Sequence, residues 1–204
     1  MDGTSRRIDR PGYFQRAFYS GHKRQHCLQF LSVTAPDGLI LYTYGPTNGA
    51  HQDNFLVNES GLNSQLEHLS TLVSNDKPYC IYGDPIFART EYIQKAMPRM
   101  ERAWQHEIFN KAMNSARVSI EHIFGIVVRQ WAYLDFHKKQ NLNWTRPALS
   151  YLNAQFLTNC LTCMYEGNQV SEAFDMPPPT LMEYLYEFTE HPTAPHVDIL
   201  LDEL

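Results

Sequence analysis

Apolar and polar positions alternate loosely along residues 24–35, which are rich in Val, Leu, Phe and Thr, and this pattern predicts a strand. Pro36-Asp37-Gly38 is a turn signal, and 39–44 reads as the returning strand of a hairpin. Gly45 to Gly49 interrupts the pattern. Short helices are predicted over 53–60 and 63–74, the second with Leu66, Leu69 and Val73 on one side. Residues 78–82 form a brief apolar run of the kind found in buried strands of a mixed or parallel sheet. The stretch 86–98 is irregular, with a short strand near Tyr92-Ile93. Helical spacing then returns over 99–115 and 117–134, where Ile120, Ile123, Phe124, Val127, Trp131 and Leu134 make one stripe. Further helices are predicted over 147–165 and 181–188, separated by the extended Pro177-Pro178-Pro179.

An early hairpin, an isolated buried strand and later helices predict an α/β layered domain. The 204 residues are enough for one domain with a substantial core, and an aromatic content of 13% favours a packed globule. No run of eighteen apolar residues and no apolar leading segment is present, so a soluble chain without a secretory signal is expected. Four cysteines suit a reducing compartment. Cys160-x-x-Cys163 lies in a helical pattern without partners at zinc spacing and reads as core packing.

The net charge of −5 is unevenly spread: residues 1–26 carry six Lys/Arg against two acids, and residues from Met164 onward carry nine acids and no Lys or Arg. The basic end would bring Arg6, Arg7, Lys23 and Arg24, with Arg10, Arg16 and His22, towards phosphates, with Tyr13, Phe14 and Tyr19 interleaved. The other reading is a solvated basic loop. The acidic end reads as a solvated tail.

Three acids carry the candidate chemistry. Asp2 opens Asp2-Gly3-Thr4, Asp84 ends the apolar run Tyr79-Cys80-Ile81-Tyr82-Gly83 ahead of Pro85, and Glu121 lies at the edge of the helical stripe. A strand, a strand end and a helix can bring three carboxylates to one point, and carboxylates are hard ligands suited to Mg²⁺ or Mn²⁺. Two such ions can activate a water and stabilise the leaving oxygen in phosphodiester cleavage. Arg117, one helical turn before Glu121, could orient that carboxylate or reach a phosphate. Asp53 reads as a helix N-cap, with a place in the site as the other reading. His51 and His122 have acid/base chemistry but nothing that fixes their geometry.

Together these stretches resemble the Harbinger/PIF-type DDE transposase family. Those that carry the resemblance are Asp2-Gly3-Thr4, Tyr19-Ser20-Gly21-His22-Lys23, Pro36-Asp37-Gly38-Leu39-Ile40, Gly45-Pro46-Thr47-Asn48-Gly49, Tyr82-Gly83-Asp84-Pro85 and the run from Ala116 to Gly125. Asn159 to Cys163 and Pro178 to Leu181 are similar to the family's C-terminal part. The resemblance implies an RNase H-like mixed sheet flanked by helices over 1–190, followed by a flexible acidic tail over 191–204. It implies DNA as substrate, two divalent ions on Asp2, Asp84 and Glu121, and a nuclear location. A separate Myb-like DNA-binding protein is the implied partner, since no helix-turn-helix precedes this stretch. Two departures shape the expectations. Only Met1 precedes Asp2, and the polar Gly3 to Arg7 is a poor strand former, so the first strand is expected to be cut short. His51-Gln52-Asp53 also separates a pair that is adjacent in relatives. The competing expectation is a non-catalytic transposase remnant that acts as a binding or assembly module.

Overall fold

A computed structural model describes residues 1–72, 80–97, 104–136, 138 and 140–190. Its centre is a long hairpin, strand β3 (Gln25–Thr34) with strand β4 (Ile40–Asn48), turned at Gly38 with φ of 84°. A side chain at Gly38 would strike Asn168, so this tight turn also sets how closely the later helices approach.

On the other edge of β3 lies strand β1 (Asp2–Arg7), antiparallel to it from Asp2 opposite Ser32 to Arg7 opposite Cys27. Gly3 to Arg7, expected to be a poor strand former, does complete a paired strand. Its polar side chains find partners that β propensity does not count. Thr4 and Arg6 share one face, where Arg6 donates to Thr4 Oγ1 and its guanidinium lies 4.8 Å from the Tyr151 ring centroid. Ser5, on the opposite face, accepts from Lys23 Nζ at 2.8 Å. The ladder to a buried neighbour does the rest.

A four-residue helix α1 (Gln15–Phe18) and strand β2 (Tyr19–Ser20) precede the hairpin, and β2 pairs with the start of β3. After the hairpin come helices α2 (Asp53–Glu59) and α3 (Leu62–Leu72), then strand β5 (Ile81–Tyr82) paired in parallel with β6 (Ile93–Gln94). The backbone nitrogen of Met1 donates to the Tyr82 carbonyl at 2.8 Å, which links this small pair to the start of β1. The 27-residue helix α4 (Trp104–Gln130), a 3-10 turn (Ala132–Asp135), α5 (Pro147–Met164), α6 (Gln169–Phe174) and α7 (Leu181–Glu190) complete the described chain.

β3 explains the layering. Cys27 through Val33 are all buried, so its apolar residues serve both faces. Leu28 and Phe30 join Ile123, Ile126, Val127, Tyr151 and Ala154 of α4 and α5 in one core. Leu31 and Val33 join Met1, Leu56, Val57, Leu62, Leu66, Phe87 and Ile93 in another, against α2, α3 and the β5–β6 region. Among the described residues the four-stranded sheet is antiparallel throughout, not mixed as expected, with helices on both faces. The parallel β5–β6 pair stands beside it as a separate ladder, and the arrangement is consistent with an RNase H-like fold.

Several element boundaries differ from the sequence reading. β4 runs through Gly45 to Asn48 instead of stopping at Tyr44. Its register against β3 shifts between Gln29 and Leu31, and Gly45 sits there with φ of 135° and no room for a side chain beside Gln29 and Phe30. A bulge absorbs Gly and Pro that a regular strand would exclude. The break expected near Ser115 is also absent, because Asn114-Ser115 lowers helix propensity without stopping a helix, and α4 is continuous. It ends at Gln130, and Leu134 reaches the core from the 3-10 turn. The predicted starts at Pro78 and Arg99, the end at Ser74 and the tail 191–204 fall outside the described residues.

Candidate active site

Three elements deliver Asp2, Asp84 and Glu121 to the same place. Asp2 starts β1, on the face that Thr4 and Arg6 also occupy, towards α4 and α5. Its Oδ1 accepts from the Gly3 N–H at 2.8 Å, which leaves Oδ2 to point at α4. Asp84 follows β5 and repeats the device. Its Oδ1 accepts from Ile86 N–H at 3.1 Å and its carbonyl accepts from Phe87 N–H, so a tight turn holds the side chain while Oδ2 stays available.

That turn is pinned from outside. Asn54, in α2, donates to the Ile86 carbonyl and accepts from the Ala88 N–H, while Lys95 Nζ bonds the Pro85 and Phe87 carbonyls. Phe87 is fully buried, and Gly83 packs so closely on Phe87 and Met1 that a side chain there would collide with both. Asn54 and Lys95 were not singled out in the sequence. Nothing local marks them, since their function depends on a loop some thirty residues away for one and about ten for the other.

Glu121 comes from α4. Its neighbours Ile120 and Ile123 are buried in the core, which fixes the helix and leaves Glu121 half exposed at the edge of the stripe. Gly125, one turn on, leaves open space beside it.

All three carboxylates meet on Arg117. Its Nη1 donates to Glu121 Oε1 at 2.8 Å and lies 3.4 Å from Asp84 Oδ2 and 3.9 Å from Asp2 Oδ2. Burial pushes the Asp2 carboxyl above its ordinary value, and nearby Asp84 adds to the shift. The Gly3 N–H and Arg117 pull the other way. Tyr82 borders the same cluster: its buried phenol is raised by desolvation and feels both Arg117 and Asp84. Among the described residues, no three Asp, Glu, His or Cys side chains stand close enough to hold a metal ion as they are.

Asp53 is not the N-cap expected. Gln52 occupies that position without a side-chain cap bond, and Asp53 is the first helical residue of α2. Its carboxyl lies against Gly3, where an added Cβ would come within 2.6 Å of Oδ1. Burial raises its pKa, opposed by Lys23, and Asp84 raises it further. It therefore lies within electrostatic reach of the acid cluster.

The basic candidates separate. Lys23, Arg7 and Arg24 are exposed, and Lys23 is tethered to Ser5 within reach of Asp53. Arg6 is half-buried over Tyr151 with its Nε shielded from water, so its charge is spent on packing. Arg10 is held by Gln15. His51 stacks on Phe55 with ring centroids 3.9 Å apart, and His122 is exposed on α4. Cys160 and Cys163 are free thiols, the second buried.

Residues 1–164 match the DDE superfamily endonuclease family, well over half of the chain and every residue of the cluster. The chain belongs to the DDE superfamily endonucleases. No curated protein and no solved structure matches it. As a DDE superfamily endonuclease it belongs to a group that acts on DNA and generally uses divalent metals. No described helix is long and apolar enough to cross a membrane.

Proposed function

We propose that this DDE endonuclease domain is of the Harbinger/PIF type and cleaves DNA phosphodiester bonds with two divalent ions, Mg²⁺ or Mn²⁺, held by Asp2, Asp84 and Glu121. One observation carries the reading: carboxylates from β1, the β5 turn and α4 converge on a single cationic atom, within 3.9 Å of it. The donor chemistry fits. Each Asp has one oxygen committed to a backbone N–H and the other turned inward, as a preformed monodentate ligand would be. When bound, the ions would lower the pKa of a water and offset charge on the leaving oxygen.

The rest falls to the protein. The β1 ladder, the Asn54 clamp and the core-anchored α4 hold the acids from three directions, so their geometry does not depend on one flexible loop. Lys23, Arg7 and Arg24 offer positive charge to the phosphate backbone without reading bases. Sequence-specific recognition would then rest on a partner, for which a separate Myb-like DNA-binding protein is our proposal, with a nuclear location. The rival reading, a non-catalytic remnant used for assembly, has one observation in its favour: the centre on which the acids converge is taken by the Arg117 guanidinium.

Nicking of supercoiled DNA separates the two. The parent should convert it to open circles with Mn²⁺, and Asp84→Asn or Glu121→Gln should lower the rate by at least about a hundredfold, a typical loss when charge stabilisation goes. A folded parent with no nicking under any divalent ion would favour the remnant.

A further inference from the structure

The three acids treat Arg117 as a point charge. A guanidinium pairs best with a carboxylate through its planar fork, with two N–H donors on two oxygens. Here a single nitrogen faces Glu121 at 2.8 Å, Asp84 at 3.4 Å and Asp2 at 3.9 Å, and only the first is a hydrogen bond. The Nε of the same guanidinium is buried without a hydrogen-bond partner. Three inward oxygens from three elements around one positive atom is the way carboxylates surround a metal cation, only wider. Contacts of 2.8–3.9 Å stand where Mg²⁺ would demand about 2.0–2.1 Å. The guanidinium thus fills the centre on which the acids would close. An ion and Arg117 cannot share that centre, because two positive charges would compete for the same three oxygens at contact distance.

Resting on the metal reading above, we propose that Arg117 is the resident cation of the acid cluster. It keeps three like charges assembled before metal arrives, and it must swing aside for a divalent ion to enter. Leaving costs the side chain one hydrogen bond and two ion-pair contacts, while the incoming divalent charge takes over the acids and the orphaned Nε gains a partner in water. The route is open on the Glu121 side, where that carboxylate is 50% exposed. Metal loading is then an exchange of cations, and the apparent affinity is lowered by the fraction of molecules in which Arg117 still holds the acids. Glu121, on the same helix one turn away, stays in place when Arg117 leaves.

Calorimetric titration of the full chain with Mn²⁺ alone tests this without reference to cleavage. Arg117→Gln, which removes the charge, should bind Mn²⁺ about tenfold or more tighter than the parent, since the competing state is gone. It should also unfold at a lower temperature without metal. Arg117→Lys, which keeps a cation on a flexible stem, should stay within about threefold of the parent. Equal or weaker binding by Arg117→Gln, while the parent binds Mn²⁺ and Asp84→Asn does not, would overturn the exchange and leave the metal site standing. No saturable binding by either the parent or Arg117→Gln would overturn the metal reading and the exchange with it. If Arg117→Gln does not fold, the parent suffices: on titration with diamagnetic Mg²⁺, the Arg117 Nε–H resonance should move and saturate. A resonance that stays fixed while Mg²⁺ binds would sink the proposal.

Discussion

At Asp2 and Asp84 the two oxygens of one carboxylate have separate tasks. One is tied to a backbone N–H and sets the direction of the other, which faces Arg117. The cost appears in the pKa values. Asp2 and Asp53 are both raised, chiefly by burial, with Asp84 contributing to each. A carboxyl raised in the folded state binds protons more readily there than in the unfolded chain. Its stabilising effect is therefore full below the unfolded value of about 3.9 and is lost as pH rises through the folded value. In chelator, Asp2→Asn should accordingly be at least as stable as the parent at pH 7, with its relative advantage shrinking as pH falls towards 4. Thermal unfolding of both proteins across that range checks the sign. A parent that outlasts Asp2→Asn at neutral pH would mean that Arg117 outweighs desolvation.

Between elements, a few polar connections supplement the two apolar cores. Asn159 of α5 bonds both the N–H and the carbonyl of Ile40 in β4, at 3.0 and 2.9 Å, and also the Tyr184 hydroxyl of α7. Asn159→Leu would leave both Ile40 groups unpaired in a buried place, so a loss of about 2–4 kcal/mol in denaturant unfolding is expected. Asn54→Ala should act differently. It frees the Asp84 turn without opening either core, so Mn²⁺ affinity should fall several-fold while the unfolding midpoint shifts by less than about 1 kcal/mol equivalent. Loss of both together would show that the turn is part of the global fold. The same connections mark what the sequence could convey. The β3–β4 hairpin was legible from its β-rich apolar run and Pro36-Asp37-Gly38 turn, and the α4 stripe because burial on one side imposes a helical period. Asp2, Asp84 and Glu121 were legible from motif order, and Arg117 from its spacing to Glu121. β1 was hidden, because its polar side chains are satisfied by Tyr151 and Lys23, residues that only the fold brings near. α6 was overlooked although it carries a local signal. Asn168 and Ser171 form a reciprocal capping box that could have been read three residues apart.

Across the whole molecule, charge is arranged in opposition. Lys23 is near enough to influence Asp53, which also feels Asp84, while Arg7 and Arg24 are exposed cations on the same N-terminal stretch. Non-specific DNA binding should therefore weaken with salt. Replacing Lys23 and Arg24 together by Ala should lower affinity for unrelated duplexes uniformly and reduce the salt slope by roughly one per lost phosphate contact. Arg6→Ala should leave that slope unchanged and lower the unfolding temperature instead, because its guanidinium lies on Tyr151. Salt titrations of duplex binding by anisotropy distinguish the two variants. An Arg6→Ala protein with a reduced slope and an unaltered melt would reverse this assignment.

The acids also arrive at different times. Asp2 leaves the ribosome long before Glu121, and the two meet only after β1 has paired with β3 and α4 has settled on the sheet through Ile123, Ile126 and Val127. A nascent or clipped chain that lacks a docked α4 presents two aspartates and no third acid. On the metal reading proposed above, cleavage would be confined to chains in which α4 has docked.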